Sequence, residues 1–373
     1  MSSRFGLYLH IPFCRSKCAY CDFPSFADMD VWQAAVIRKM QNELDKAAAE
    51  IGSRQPTTVY IGGGTPSVLA PDLFLQLLST ARRAFPWRSD AEVSVEMNPG
   101  TITDAFLEAA SESGINRISI GAQSTSDQLL KLIGRIHLGS DVRKAVLKAK
   151  EHGFSNINLD MMIGLPDQTL EDIGATLEEF IDLEPTHISC YSLILEDGTK
   201  LAQLVSKGQL QLPEDSLERE MYYFARERLE ASGYHQYEIS NFAKSGFECR
   251  HNLDCWNREE YLGIGVAAAS FIGKKRIRNP ETIAAYLEGT PPEVISLTKE
   301  DEKFESIMLG LRLTQGITDS DFRQRHGVSL IQAYGEIIER LVDRDLLEWN
   351  DEHLRCTKRG MDIQNEVLTE FME

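Results

Sequence analysis

A chain of 373 residues is long enough for more than one core, because single hydrophobic cores stop growing at roughly 250 to 300 residues. Its 39 lysines and arginines stand against 57 acidic residues, and a net charge of -18 repels phosphate backbones and anionic surfaces, which argues against nucleic acid as a partner. Seven cysteines, three of them clustered, and no apolar run near the roughly 18 residues of a membrane span suit thiols kept reduced in a cytosol; the expectation is a cytoplasmic protein without a leader.

From residue 7 to about 195, short β-rich runs alternate with amphipathic stretches, the pattern of parallel βα units. Six strands are predicted: Leu7 to Ile11, Thr58 to Gly62, Glu92 to Glu96, Arg117 to Gly121, Ile157 to Met161 and Ile188 to Leu193. Helices are predicted between them, among them Val31 to Glu50, entered through Asp28 or Asp30 as a cap, and Leu170 to Leu183. The stretch from 201 to 295 carries a helix, Asp215 to Ser232, and loops containing YHQYEISNFA and CRHNLDCW; it is expected to flank the barrel. EGTPPE reads as a linker, and beyond it a helix face on Phe304, Ile307, Met308 and Leu311, a second helix through Ile337, Ile338 and Leu341, and a hairpin in LLEWNDEHLRCT outline a winged-helix-like module over 296 to 373. Residues 300 to 373 hold 9 basic and 17 acidic side chains, which favours a protein contact or lid over DNA reading.

Each unusual polar or glycine-rich cluster falls just after one of the six strands, where barrel enzymes build their sites. Cys14, Cys18 and Cys21 follow the first strand with the spacing C-x3-C-x2-C. Soft thiolates suit an iron-sulfur cluster, and three ligands on a four-iron cube leave one iron open to a small molecule. A zinc site is the alternative, and it needs a fourth ligand such as Cys190 or His10. GGGTP, residues 62 to 66, follows the second strand and is either a tight turn or a place where bare backbone approaches a ligand. Glu96 closes the third strand, Gln123 follows the fourth, Asp160 ends the fifth, and Arg135 lies in GRIH. Each has an ordinary structural reading alone; as a set they offer carboxylates for an ammonium and ribose hydroxyls and a guanidinium for a carboxylate, as an amino-acid-bearing nucleoside requires.

Taken together, LYLHIPFCRSKCAYC, GGGTPS, EMNPGT, GAQS, GRIH and NLDMMIGLPDQT resemble the radical S-adenosylmethionine (SAM) proteins, within them the oxygen-independent coproporphyrinogen oxidase group, over residues 7 to about 370. The resemblance implies an α/β fold, a partial (β/α)6 TIM-like barrel with a C-terminal α+β winged-helix-like domain. It implies a 4Fe-4S cluster on Cys14, Cys18 and Cys21 with SAM chelating the fourth iron. By position, Tyr8 would lie near the cluster and SAM, Gly63, Gly64 and Thr65 would border the methionine moiety, and Glu96, Gln123, Arg135 and Asp160 would contact SAM. Ile194 stands where that group has alanine.

Three features favour the HemW-type haem chaperones of this group over its oxidases. Phe23 stands where the oxidases carry a fourth cysteine. The first strand begins at residue 7, against an N-terminal extension in the oxidases. CRHNLDCW is similar to the HNxxYW haem-binding motif, which makes His251 the candidate ligand for transiently held haem. Cys255 replaces the motif's tyrosine, Ala269 replaces a histidine common in relatives, and Cys249, His251 and Cys255 offer a small metal site as an alternative. The implied function is a chaperone that passes haem to haem-requiring proteins, with peripheral contact to membrane-bound acceptors and a homodimer as further expectations. The alternative is decarboxylation of coproporphyrinogen III by 5'-deoxyadenosyl radical chemistry.

Overall fold

The computed structural model describes residues 4–52, 54–350 and 352–372. Six parallel strands appear in the predicted order: β1 (Phe5–Ile11), β2 (Thr58–Gly63), β3 (Glu92–Met97), β4 (Arg117–Gln123), β5 (Ile157–Ile163) and β6 (His187–Ser192). The helices α1 (Gln33–Ile51), α2 (Pro71–Ala84), α3 (Asp104–Glu112), α4 (Gly139–Glu151) and α5 (Leu170–Asp182) connect the first six strands, and α6 (Asp215–Ala231) packs against α5. Thr169 caps α5 through a reciprocal box with Asp172. Neither Asp28 nor Asp30 caps α1: the chain enters it from a 3-10 turn, Asp30–Trp32, and the Asp30 carboxylate accepts from the Gln33 side chain instead.

Alternation along the strands divides the sheet into two chemistries. Val59, Ile61, Val93, Val95, Ile118, Ile120, Leu159 and Ile188 bury against the helices. Their neighbours Tyr60, Glu96, Arg117, Ser119, Asn158, Asp160 and Ser189 line an interior cavity. Branched aliphatics on one face hold the helices; polar side chains on the other leave a chamber that water or a ligand must fill.

The stretch from 201 to 295 does more than flank this barrel. Its strands β7 (His235–Gln236), β8 (Asn241–Ala243), β9 (Glu260–Ile264), β10 (Ala269–Ile272), β11 (Lys275–Arg278) and β12 (Glu293–Ser296) all join the same sheet. Its order is β12-β11-β10-β9-β1-β2-β3-β4-β5-β6-β8-β7. β9 runs parallel to β1, a seventh parallel strand. A short helix, α7 (Arg250–Trp256), sits beside the first residues of β1, β2 and β3.

Beyond residue 296 a separate core gathers Ile307, Leu311, Phe322, Ile338, Leu341, Leu347 and Leu354. It is built from α8 (Lys299–Gly310), β13 (Ile317–Thr318), α9 (Asp319–His326), α10 (Leu330–Asp343) and the hairpin β14 (Leu347–Trp349) with β15 (His353–Cys356). This is the winged-helix-like outline with a further helix, α9, and a third strand, β13, that the sequence pattern left unseen; two short helices, Lys358–Asp362 and Gln364–Thr369, follow Thr357 and bring Val367 into the same core. Arg258, buried beside α7, reaches Glu305 of α8 at 2.8 Å, and Arg276 of β11 binds the same carboxylate at 2.9 Å, so the second core is clamped to the sheet edge.

Candidate functional site

Cys14, Cys18 and Cys21 sit half-buried at the mouth of a cavity of about 520 Å³ at the C-terminal ends of the strands. Cys14 ends a two-residue strand, Phe13–Cys14, paired with Phe26–Ala27, so the cysteine loop is closed on itself. Between Cys18 and Cys21 the loop is tied down from behind: Ala19 N-H donates to the Ile133 carbonyl at 2.9 Å, and Leu201 N-H donates to the Ala19 carbonyl at 2.7 Å. An apolar cluster of Ala19, Leu129, Ile133, Met162, Leu165 and Leu201 lies beneath. Gly134 of GRIH permits this approach. It takes φ +76°, and a Cβ there would lie 3.1 Å from Ala19 N. His10 supports the other side, bridging the Tyr8 hydroxyl (2.9 Å) and the Pro24 carbonyl (3.0 Å).

The donor set fits an iron-sulfur cluster. Thr65 Oγ1 lies 3.6 Å from Cys14 Sγ and Arg135 Nη1 lies 3.5 Å from Cys18 Sγ, donors aimed at sulfurs that would carry negative charge. The alternatives find no support in placement. Cys190 is packed in the apolar core and His10 is engaged as described. Among the described residues no three His, Cys, Asp or Glu side chains converge as a single-ion site, at the N-terminal loop or around Cys249, His251 and Cys255.

Next to the cysteines, Gly63, Gly64 and Thr65 form one wall. Gly63 has φ +110° and a Cβ would strike the His10 ring at 2.6 Å, while a Cβ on Gly64 would meet the Phe13 carbonyl oxygen at 2.6 Å. The glycines therefore serve close packing of β2 on β1 and, in the same stroke, present bare backbone to the cavity. Glu96 faces them. Its Oε1 accepts from the Tyr60 hydroxyl at 2.8 Å and its Oε2 from Gly63 N-H at 3.1 Å. Burial, with a smaller push from Asp160, raises its pKa to about 7 against the opposing Tyr60 bond.

Asp160 is likewise raised by burial and accepts from Asn158 Nδ2 at 2.7 Å. Gln123 takes φ +68° at an irregularity in the β4–β5 pairing, and its amide oxygen accepts from the Tyr191 hydroxyl at 2.9 Å. A left-handed non-glycine residue at a strand end is costly, and it concentrates at sites that need the side chain re-aimed. Arg135 spans the gap between Cys18 and the Gly121 carbonyl.

Two predicted residues lie elsewhere. Tyr8 is absent from the cavity wall; its ring packs beside those of His251 and Tyr60, and its hydroxyl holds His10. His251, 7% exposed, lies on the barrel floor in α7. Its Nδ1 contacts Thr58 Oγ1 at 3.0 Å, its ring stacks on Tyr60 at 5.0 Å, and burial together with Arg117 lowers its pKa to about 4, so it is neutral at pH 7. The floor helix is anchored by Glu92, whose carboxylate accepts from the N-H groups of Arg250 (3.0 Å) and His251 (3.1 Å). Sequence reasoning missed Tyr60, Arg117, Ser119, Asn158 and Ser189 on the cavity wall. Their signal is the alternation in TVYIGG, RISIGAQ, INLDMM and HISCYS, where apolar residues alternate with ones that line the cavity.

The model of the radical SAM superfamily matches residues 8–180, and that of the HemN C-terminal domain matches residues 297–363. The heme chaperone HemW of Bacillus subtilis is 36% identical over 372 residues, 98% of both chains. That of Escherichia coli is 35% identical over 375 residues, again 98% of both. The chain belongs to the HemW family of the radical SAM superfamily. Among solved structures, coproporphyrinogen III oxidase (HemN) of Escherichia coli superposes with a TM-score of 0.86 over 99% of this chain and 90% of that one; at 21% identity the likeness shows the shared fold. Membership of the superfamily implies a 4Fe-4S cluster and SAM, for which the cysteine mouth and the cavity behind it have the right chemistry. No described helix is long and apolar enough to cross a membrane.

Proposed function

We propose that the chain is a haem chaperone that carries a 4Fe-4S cluster on Cys14, Cys18 and Cys21, binds SAM in the barrel mouth and holds haem transiently before passing it to a haem-requiring protein. The observation that carries this reading is similarity along the whole chain, cysteine loop and C-terminal module included, to proteins named heme chaperones. When bound, the cluster and SAM supply one-electron chemistry at the open iron. Gly63, Gly64 and Thr65 would offer backbone and hydroxyl groups to the methionine end of SAM, Arg135 its carboxylate contact, and Glu96, Gln123 and Asp160 acceptors for its ammonium and ribose. Phe23, 60% exposed in place of a fourth cysteine, and Ile194, 70% exposed at the same mouth, give the entrance an apolar rim suited to a flat macrocycle.

His251 would hold the haem iron, and its neutral imidazole is the ligating form. Ligation requires α7 to move from the floor, because the ring is covered by Tyr60 and Tyr8. Haem uptake on His251 therefore couples to opening of the barrel base. The purified, cluster-loaded protein is expected to bind about one haem, to lose it on His251→Ala, and to form no protoporphyrinogen from coproporphyrinogen III with SAM and reductant. Absorbance titration with haem and an anaerobic product assay check both halves. Protoporphyrinogen with methionine and 5'-deoxyadenosine would instead establish the oxidase reading, and unchanged haem stoichiometry in the variant would remove His251 from the ligand role.

A further inference from the structure

Below the layer of Glu96 and Asp160, the cavity continues to a floor where one charged group lacks a hydrogen-bond acceptor. Arg117 opens β4 and is 2% exposed, yet it borders the cavity. Its Nε is enclosed without an acceptor, and no described residue accepts from the rest of the guanidinium. Glu92, a carboxylate whose charge acts on Arg117, is spent on α7: both its oxygens are taken by the N-H groups of Arg250 and His251, and Cys249 Sγ lies 3.6 Å from Oε1. Around Arg117 the cavity wall is neutral and polar, with Ser119, Asn158, Ser189, Asn241 and Asn252. Asn241 Oδ1 is also buried without a donor.

A planar fork of donors, buried and unmatched, in a wall of hydroxyls and amides is the chemistry that receives a carboxylate. Arg117 brings a single positive charge, and Glu96 and Asp160 share the chamber, so a dianion such as phosphate is disfavoured while a single carboxylate can pair with the one guanidinium. The upper end of the chamber, at the cysteines and GGGTP, is the SAM end, and Arg117 lies a layer deeper: in the β3–β4 register Ser94 faces Arg117 and Glu96 faces Ser119. We propose that the barrel floor is a second binding site, beneath SAM, for a ligand that presents one carboxylate to Arg117. The proposal needs the cavity and SAM at its mouth but not the haem reading, so the two can fail separately.

The carboxylate can belong to a free small acid or to the propionate arm of a porphyrin, and the test separates them. Cluster-loaded protein saturated with SAM under anaerobic conditions is titrated with sodium propionate, followed by saturation-transfer NMR. One saturable site is expected, weakened by about tenfold to a hundredfold in Arg117→Met, with SAM affinity unchanged at pH 8.5, where Glu96 is ionised in both proteins. Displacement of propionate by haem but not by haem dimethyl ester assigns the site to a porphyrin arm; displacement by neither assigns it to a free acid. Absence of saturable binding in the parent protein, or equal binding in Arg117→Met, overturns the proposal. Should Arg117→Met fail to fold, Ser119→Val, which leaves the guanidinium but narrows the floor beside it, must weaken propionate binding by a comparable factor, and unaltered binding overturns it equally.

Discussion

Replacing Cys14, Cys18 and Cys21 together by serine is expected to abolish iron and sulfide retention after anaerobic reconstitution, while the folded chain survives. The three thiols project into the cavity mouth and contribute little packing: the loop is held by Ala19, His10 and Gly134, none of which the substitution touches. A serine hydroxyl is a hard ligand with a pKa far above that of a thiol, so it does not take the place of a thiolate on iron. Single replacements are expected to differ. Cys18 faces the Arg135 guanidinium and Cys14 the Thr65 hydroxyl, donors that stabilise a thiolate, whereas burial raises the Cys21 thiol against the pull of Lys17. Iron and acid-labile sulfide per chain, with the visible absorption of the cluster, measure the result; circular dichroism checks the fold. Iron content equal to that of the parent protein would remove the cluster and with it the rest of the cofactor reading.

The upper half of the site was legible because its residues fall at strand ends. C-x3-C-x2-C, GGGTP, Glu96, Gln123 and Asp160 each follow a run of branched aliphatics, and a parallel barrel brings such positions to one rim. The lower half was not. Arg117 opens its strand and Tyr60 sits inside one, and a polar residue beside aliphatics reads equally as solvent-facing; only closure of the sheet turns that face inward. Strand β9 was hidden for another reason: its five residues, Glu260–Ile264, run into a glycine-rich turn, so local pattern cannot show that they pair with β1 from a distance of some 250 residues. His251 shows the same limit. Its motif was visible, but its partner Thr58 and its stacking ring Tyr60 lie on β2, and the contact exists only once α7 has docked. That docking links motif to cofactor end in three steps: His251 stacks on Tyr60, Tyr60 donates to Glu96, and Glu96 accepts from Gly63.

Glu96 gives this path a pH signature. SAM affinity is expected to rise as pH increases from 5.5 to 7, by up to about tenfold per unit, and to level off above the Glu96 pKa of about 7. The ionised carboxylate is the form that accepts from an ammonium or a ribose hydroxyl while already holding Tyr60 and Gly63; the protonated acid must first give up its proton. Stability moves the other way. A carboxyl whose folded pKa lies above its unfolded value near 4.5 favours the folded chain fully below pH 4.5 and loses that contribution as pH rises through about 7. Because Glu96 lines the cavity and water reaches it, the loss is of order 1 kcal/mol rather than the about 3 kcal/mol the full shift would carry. Glu96→Ala is expected to bind SAM at least about tenfold more weakly and to erase the pH dependence, since it removes a charged acceptor that Tyr60 and Gly63 pre-orient. Tyr60→Phe removes a bond that lowers the Glu96 pKa, so its affinity curve should keep its shape and move to higher pH. Equilibrium dialysis of SAM against the cluster-loaded proteins between pH 5.5 and 8.5 reads all three curves; a flat profile in the parent protein, or an unshifted one in Tyr60→Phe, would show that Glu96 does not titrate where SAM binds.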